Sequence, residues 1–248
     1  MVYTGHWYFP SIFNSDQLRA LESGLPKKPC HDLRKDKTPL VDINKHTNRY
    51  TINSSGNIFY EFIYDQTLLG LIKQVSGAKR IRPIQIGVLT KLPLAPMTPW
   101  HRDRDHLPVS TNVYTAWIPL TNVSPECSLV YAEGTALVDP ILSQHSANNP
   151  LSKILEAYGK PISTGRMLMA GDVEIHDGHV WHYAPVNSGA EPRHALAIAY
   201  VPDGCRIDLN PQGFDSLLGL TIRLSVLANN FPSLTDGDLI DSSFNPAV

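Results

Sequence analysis

Six titratable side chains follow one another at residues 101–106, in the sequence HRDRDH. If this stretch is an extended strand, residues two apart point to the same side, so His101 and Asp103 share one face and Arg102 and Arg104 the other. An imidazole and a carboxylate on one face can both bind a metal ion, with a third ligand supplied from elsewhere. The same residues are also typical of a solvent-exposed, charged strand end. The hexapeptide alone leaves both interpretations open.

A second group of candidate ligands lies at residues 171–201, in the sequence GDVEIHDGHVWHYAPVNSGAEPRHALAIAYV. This segment predicts two strands around a loop that contains Pro, Asn, Ser and Gly. If the loop spans residues 185–192, an antiparallel pair places Ala184 opposite Arg193 and His182 opposite Ala195. His182 and Arg193 would then share a face, several ångströms apart. A shift of the register by one residue removes this arrangement.

Together these residues have the composition of a known metal centre. A His-x-Asp pair with a distant histidine is the facial triad of non-haem Fe(II) oxygenases, which leaves three cis positions free for substrate and oxygen. Arg193 adds a fixed positive charge that can bind a carboxylate through two hydrogen bonds. Both features are what 2-oxoglutarate requires, because its keto acid chelates the metal while its far carboxylate pairs with an arginine.

Several motifs resemble the phytanoyl-CoA dioxygenase family of Fe(II)/2-oxoglutarate-dependent oxygenases. They are WHRD, the distal WHYAPVN with an arginine eleven residues after His182, ECSLVYAEGTAL, GDVEIHDG, NSDQLRAL and YVPDG, which span roughly residues 7–204. The resemblance implies a double-stranded β-helix core, a jelly-roll or cupin-like barrel, with flanking α-helices. It also implies that His101, Asp103 and His182 bind Fe(II), that Arg193 binds 2-oxoglutarate, and that O2 is consumed.

The sequence departs from the family pattern at three places near these residues. Arg102 stands where the family often has Gln, and Ala184 stands where it often has Ser. The segment EGTAL, at residues 133–137, replaces the family's Pro-Gly-Ser-His. The metal-binding residues are intact, and the departures concern the contacts around them.

Three further polar residues are candidates for contacts with 2-oxoglutarate. Gln85 and Lys91 lie on the predicted strand before the HRDRDH segment, and Thr115 lies on the predicted strand after it. Each is also compatible with an ordinary polar position on the surface of a strand.

The remaining titratable residues near the motifs have weaker claims to a role in binding the metal. We expect His176 to pack beside the site and His179 to lie in a loop. Asp105 would be about 13 Å from His101 along a continuous strand, too far to share one ion. Asp105 and His106 are therefore expected to line the pocket mouth or to face water, and Asn187 is expected to be a structural turn residue.

The secondary structure expected from the sequence is mainly β with flanking helices. Three helices are predicted from their capping residues, at NSDQLRALESG, DQTLLGLIKQVSG and NPLSKILEAYG. Six short segments rich in β-branched and aromatic residues predict strands: IRPIQIGVLTKL, VYTAWIPLTNV, CSLVYAEGTALV, GRMLMAGDVEIHDG, HVWHYAPV and RHALAIAYVP. The last residues, LTDGDLIDSSFNPAV, are polar, and we expect them to wrap the outside or to be loose.

Composition narrows the class of protein further. The chain has 248 residues, 42% hydrophobic and 18% charged, which predicts one globular domain over residues 1–248 with N-terminal helices and a C-terminal extension. A net charge of −2 with scattered Lys and Arg argues against nucleic acid, and no apolar run is long enough for a membrane. Three widely separated cysteines favour a reducing cytoplasm.

The function predicted from these observations is hydroxylation, desaturation or cyclisation of a small-molecule metabolite, such as a natural-product intermediate. A related halogenase would need a small residue in place of Asp103, which disfavours halogenation. We expect a monomer or homodimer with a small-molecule substrate as partner. Two alternatives stay open: a cupin-like metalloprotein that acts without 2-oxoglutarate, as another oxygenase or an isomerase, and a noncatalytic small-molecule binding barrel.

Overall fold

Two antiparallel sheets form the centre of the fold. The computed structural model describes residues 3–24, 40–42, 58–137, 159, 161–210, 217–231, 233–241 and 245–248. The strands are β1 (His6–Phe9), β2 (Leu40–Asp42), β3 (Ile81–Lys91), β4 (Thr98–His101), β5 (Tyr114–Pro119), β6 (Val130–Tyr131), β7 (Val173–Asp177), β8 (His182–Ala184) and β9 (Arg193–Pro202). The helices are α1 (Ser15–Gly24), α2 (Ile58–Ile63), α3 (Gln66–Ser76) and α4 (Leu217–Asn230).

The larger sheet has six strands in the order β1-β7-β5-β9-β3-β2, and the smaller has three in the order β4-β8-β6. Their inner faces lie opposite one another. Lys91 on β3 donates a hydrogen bond from Nζ to the carbonyl of Ala184 on β8, at 2.9 Å. The Tyr131 hydroxyl on β6 donates to Oε2 of Glu174 on β7, at 3.3 Å. The predicted mainly β class with flanking helices is confirmed, and the described strands form two facing sheets and no closed barrel.

Strand alternation separates the two faces of the larger sheet. On β9, Leu196, Ile198 and Tyr200 belong to the core that also contains apolar residues of α1, α2 and α3. Residues of the other parity, Ala195 and Ala197, contribute instead to the core between the two sheets. Because these inward side chains are small, they leave room between the sheets where larger residues would fill it.

Two of the three predicted helices are confirmed with their caps. At α1, the Asn14 side chain accepts from the Gln17 amide at 3.0 Å and the Gln17 side chain accepts from the Asn14 amide at 2.9 Å, which is a capping box. At α3, Asp65 caps the first turn and Gly77 ends the helix with φ of 69°. The third prediction, at residues 149–159, lies outside the described residues except for Gly159.

All six predicted strand segments contain a strand, but the third is much shorter than expected. Among the described residues of CSLVYAEGTALV, Val130 and Tyr131 form the strand, and residues Thr135–Leu137 form a 3-10 turn. The elements β1, β2, α2 and α4 were not predicted, and β4 shares only His101 with the strand considered for residues 101–106. Among the described residues, no helix has both the length and the apolar character that crossing a bilayer demands.

The predicted hairpin between β8 and β9 is wrong. β8 pairs with β4 on one side and β6 on the other, whereas β9 pairs with β5 and β3 in the opposite sheet. Arg193 therefore lies opposite Lys91, not opposite Ala184. Since both edges of β8 are already hydrogen-bonded, the loop at residues 185–192 carries the chain from one sheet to the other.

The C-terminal residues that the structure describes pack against the core. Ile240 is fully buried, and Val248 and Ile81 exchange two backbone hydrogen bonds of 3.0 Å. The Asn245 side chain donates to the carbonyl of Pro83 at 2.8 Å. Of the two expected arrangements, wrapping around the outside of the sheet is therefore the one observed.

Candidate metal centre

Three side chains from two strand ends and a turn converge between the sheets. His101 ends β4 and is the register partner of His182, which begins β8. Asp103 begins a 3-10 turn that runs from Asp103 to His106. Oδ1 of Asp103 lies 3.6 Å from Nε2 of both histidines, and the three ligand atoms are within 4.8 Å of one another. The structure thus brings together the three residues that the sequence proposed as ligands.

The orientation of both imidazoles suits a metal ion. Nδ1 of His101 lies 2.8 Å from the carbonyl of Pro99, and Nδ1 of His182 lies 3.2 Å from the carbonyl of Val180. Because a carbonyl can only accept, each Nδ1 carries the proton and each Nε2 presents its lone pair. Both lone pairs belong to nitrogens that face Asp103. Two imidazoles and one carboxylate arranged in this way fit a facial metal site.

The charge states of these residues also suit metal binding. Burial, together with the nearby His101 and His176, holds the pKa of His182 well below its usual value, so its imidazole is neutral. Burial alone would raise the pKa of Asp103, but the hydrogen bond from His176 and the surrounding imidazoles lower it well below the usual range. A neutral imidazole and an ionised carboxylate are the forms that bind metals.

The second oxygen of Asp103 is held by two donors from the larger sheet. Nε2 of His176 lies 2.9 Å from Oδ2 of Asp103, and the Thr115 hydroxyl donates to the same oxygen at 2.6 Å. These bonds leave Oδ1 to face the two histidines. His176 packs beside the site as expected, and Thr115, predicted as a co-substrate contact, bonds to a candidate metal ligand. Whether Thr115 also contacts 2-oxoglutarate stays a prediction.

We expect His176→Ala to weaken metal binding by roughly 10- to 100-fold, the usual cost of losing an outer-shell partner of a ligand. Without the Nε2 donor, the carboxylate of Asp103 loses one of the two hydrogen bonds that fix its orientation. The measurement is titration with Co(II) followed by its visible absorption, compared with His179→Ala. His179 makes its contact with Asp177 and its side chain is 39% exposed. Equal affinities in the two variants would contradict this role.

Two buried cations lie together on the inner face of the larger sheet. Lys91 and Arg193 are register partners and are only 1% and 6% exposed. Among the described residues, neither forms an ion pair with a carboxylate: Lys91 donates to the carbonyl of Ala184, and Arg193 donates from Nη1 to the carbonyl of Cys127. Nε of Arg193 is buried without a partner. Buried charges are normally paired, so this arrangement is suited to receive an anion.

Burial weakens the affinity of both cations for protons. Burial and the charge of Arg193 lower the pKa of Lys91 to about 8, and burial lowers the pKa of Arg193 to about 10. Ala184, which Lys91 contacts, lies two residues after His182 on β8, about 6.6 Å along the strand. The Lys91 ammonium group therefore lies about two residues along β8 from His182, a candidate metal ligand. Gln85 lies on the same inner face as Lys91, opposite Ala199, and is half-buried.

We had expected Asp105 to line the pocket mouth or to face water, and it does neither. It is 5% exposed and accepts two hydrogen bonds from Arg102, at 2.9 and 2.8 Å. The expectation failed because residues 103–106 form a 3-10 turn, which brings residues three apart together. The Arg102 guanidinium also lies 5.1 Å from the centre of the Trp181 ring. This buried pair holds the turn that carries Asp103.

Two polar residues near the site were not identified from the sequence, namely His6 and Glu174. His6 stacks on Tyr131 with ring centroids 4.3 Å apart, and Tyr131 lies 5.7 and 6.0 Å from the rings of His176 and His182. Glu174 lies two residues before His176 on β7, so both side chains point to the same face of the strand. This spacing was the sequence feature that could have identified Glu174. Asn187 is structural, as predicted, because its side chain donates to the carbonyls of Lys91 and Glu191.

Comparison with known proteins agrees with this geometry. The sequence profile of the phytanoyl-CoA dioxygenase (PhyH) family matches residues 14–195, so the chain belongs to that family. No curated protein matches the sequence significantly.

Solved structures share the fold at low sequence identity. The carbocyclase SnoK from nogalamycin biosynthesis, described as non-heme and alpha ketoglutarate dependent, is 20% identical with a TM-score of 0.74 over 99% of this chain and 92% of its own. The epimerase SnoN, in complex with Fe3+, alpha ketoglutarate and nogalamycin RO, is 18% identical with a TM-score of 0.75, covering 99% and 94%. HygX from Streptomyces hygroscopicus, with nickel and 2-oxoglutarate bound, is 18% identical with a TM-score of 0.61, covering 81% and 84%.

Proposed function

We propose that this protein is an Fe(II)/2-oxoglutarate-dependent oxygenase that acts on a small-molecule metabolite. The observation that carries the proposal is the convergence of His101, Asp103 and His182 within 4.8 Å, close to two buried cations that have no carboxylate partner among the described residues. Membership of the PhyH family supports it, as do folds shared with proteins crystallised with Fe3+ or nickel and 2-oxoglutarate.

In this proposal each residue has a separate task. His101, Asp103 and His182 hold the metal, and hydrogen bonds from His176 and Thr115 keep Asp103 directed toward it. Arg193 and Lys91 bind the far carboxylate of 2-oxoglutarate, and Gln85 contributes a polar contact nearby. When bound, Fe(II) together with 2-oxoglutarate supplies the activation of O2 that oxidises an unactivated C–H bond. The small inward residues of β9 leave space for the co-substrate between the two sheets.

For the substrate, we propose a natural-product intermediate that undergoes hydroxylation, desaturation or ring closure. SnoN was crystallised with nogalamycin RO, and a second HygX structure contains hygromycin B. These two complexes support the substrate class, and the presence of Asp103 supports oxidation rather than halogenation. We further propose a cytoplasmic monomer or homodimer. Cys127 and Cys205, both buried free thiols, are compatible with a reducing compartment.

An anaerobic titration tests the proposal directly. Fe(II) is added to the purified chain, followed by 2-oxoglutarate, and a weak visible charge-transfer band is expected only after the second addition. Succinate formation in air, measured with a panel of candidate metabolites, then tests turnover. A band that needs no 2-oxoglutarate, or oxidation that proceeds without it, would favour a cupin-like metalloprotein instead. Absence of both band and turnover would favour a noncatalytic binding barrel.

The proposal also predicts a pH dependence for 2-oxoglutarate. The pKa of Lys91 is lowered to about 8, so its ammonium is charged below that pH and loses its proton above it. The KM for 2-oxoglutarate should be flat from pH 6.5 to 7.5 and rise by up to about tenfold per pH unit above 8. Steady-state kinetics at fixed Fe(II) measures this. Lys91→Met should raise the KM at pH 7 and remove its rise above pH 8. A rise that persists in this variant would assign the titration to another group.

A further inference from the structure

A second polar cavity lies beside the candidate metal centre, between β1, β6, β7 and residues 163–166. Its volume is about 100 Å³, smaller than the roughly 150 Å³ cavity that accepts benzene. It therefore accommodates one small polar substituent of a ligand and not a whole multi-ring molecule. Its polar lining includes His6, Tyr131, Glu133, Ser163, Arg166 and Glu174.

The carboxyl group of Glu174 is a buried part of this lining with a single side-chain hydrogen bond among the described residues. Glu174 is 4% exposed, and the bond from the Tyr131 hydroxyl, at 3.3 Å to Oε2, is its one side-chain hydrogen bond among the described residues. Its other oxygen has no partner within that part of the chain. Buried carboxylates normally accept several hydrogen bonds or pair with a cation. Burial raises the pKa of Glu174 to about 7, as expected for a carboxylate that lacks donors.

The nearby protein groups do not supply the missing donor. The guanidinium of Arg166 lies over the ring of Tyr8, 4.3 Å from its centre, and forms no ion pair with Glu174 or Glu133 among the described contacts. His6 directs Nε2 toward Glu133, at 3.3 Å. On β7, His176 directs its Nε2 to Asp103. The Tyr8 hydroxyl donates to Asp172, at 2.9 Å.

We propose that the cavity binds the ammonium group of a small-molecule amine, with Glu174 as its main acceptor and Glu133 as a second. An ammonium supplies three donors and no acceptor, which matches the two carboxylates of the lining. The Ser163 hydroxyl accepts from the Tyr131 backbone N–H at 2.9 Å and has one further lone pair to offer, and the lining also contains the positive charge of Arg166. Resting on the proposed oxygenase function, we assign this ammonium to the substrate. Tyr131 lines the cavity, and its ring centroid is 6.0 Å from that of His182. An amine held there would place the adjoining part of the molecule near the metal centre.

The test uses ethylammonium chloride as the probe and the ¹⁵N-labelled whole chain without Fe(II) or 2-oxoglutarate. Ethylammonium has three heavy atoms, so binding is expected to be no tighter than about 1 mM. Saturable chemical-shift changes should be confined to β1, β6, β7 and the adjoining residues 129–133 and 163–166. Glu174→Gln should weaken binding by about tenfold or more, because it removes the charge and keeps the shape. Glu133→Gln should weaken it by a smaller factor. Glu191→Gln, at an exposed position, serves as the matched control and should leave it unchanged.

Ethanol, a neutral probe of the same size, distinguishes an ammonium site from a general polar one. Ethanol binding as tightly as ethylammonium, no saturable shift at all, or undiminished binding by Glu174→Gln would each overturn the proposal. If the spectrum of Glu174→Gln shows that this variant does not fold, Glu133→Gln and Glu191→Gln are compared instead. The proposal then requires weaker ethylammonium binding by Glu133→Gln than by Glu191→Gln. No iron or oxoacid is present, so the outcome is independent of the succinate assay that tests the oxygenase proposal.

Discussion

Replacing His182 with alanine is expected to abolish both metal binding and 2-oxoglutarate turnover. His182 contributes one of three ligand atoms that lie within 4.8 Å, and its side chain is 4% exposed. Removal of a ligand leaves two groups, which cannot define a facial site. The loss should exceed the roughly 10- to 100-fold that loss of an outer-shell partner costs, and we expect about 1,000-fold or more in succinate formation.

His179→Ala is the matched control for this experiment, since it removes an imidazole three residues away in the same segment. Its thermal stability and its anaerobic Fe(II)/2-oxoglutarate absorption band should resemble those of the unaltered protein. His182→Ala should lack the band while retaining a cooperative unfolding transition. A folded His182→Ala protein with an unchanged band would remove this residue from the site, and with it the proposed metal centre.

Arg193→Ala is expected to raise the KM for 2-oxoglutarate by about 10- to 100-fold, with a smaller effect on kcat. The guanidinium is 6% exposed and has an unpartnered Nε beside Lys91. Charge-assisted hydrogen bonds contribute about 1.5–3 kcal/mol each, which corresponds to that range of affinity. Fe(II) binding in the absence of 2-oxoglutarate should be unaffected, because the metal ligands are other residues.

Arg193→Lys separates charge from geometry. A lysine keeps the positive charge but loses the two-pronged contact with a carboxylate, so its KM should lie between those of Arg193 and Arg193→Ala. Steady-state kinetics over a range of 2-oxoglutarate concentrations gives all three values. If Arg193→Ala retains both its KM and its rate, the protein does not use 2-oxoglutarate through this residue. The metalloprotein that acts without this co-substrate then becomes the better description.

The prediction of the ligand residues did not need the fold to be known in detail. His101 and Asp103 are separated by one residue, so even a chain that turns at Arg102 keeps them close. The strand assumed for residues 101–106 ends at His101, yet Asp103 still lies 3.6 Å from its Nε2. By contrast, the placement of Asp105 depended on the strand continuing, and that placement was wrong. Short-range proximity survives an error in secondary structure, whereas the direction of a side chain four residues away does not.

The prediction that brought Arg193 near His182 rested on an incorrect pairing. The hairpin assumed between β8 and β9 does not form, because β4 and β6 occupy both edges of β8. Arg193 lies between the sheets for another reason: it is inward-facing on β9 and opposite Lys91. A loop with Pro, Asn and Gly can close a hairpin or cross between two sheets, and its residues do not distinguish the two.

Local patterns thus sufficed for six of the nine described strands, for the caps of α1 and α3, for the mainly β class and for the residue types of a metal site. Such features depend on alternation, capping and composition, which are properties of neighbouring residues. The pairing of Lys91 with Arg193, the contacts of His176 and Thr115 with Asp103, and the cavity around Glu174 required the folded chain. Those contacts join residues at least 12 positions apart, and most of them far more, and which strands become neighbours depends on the packing of the whole core.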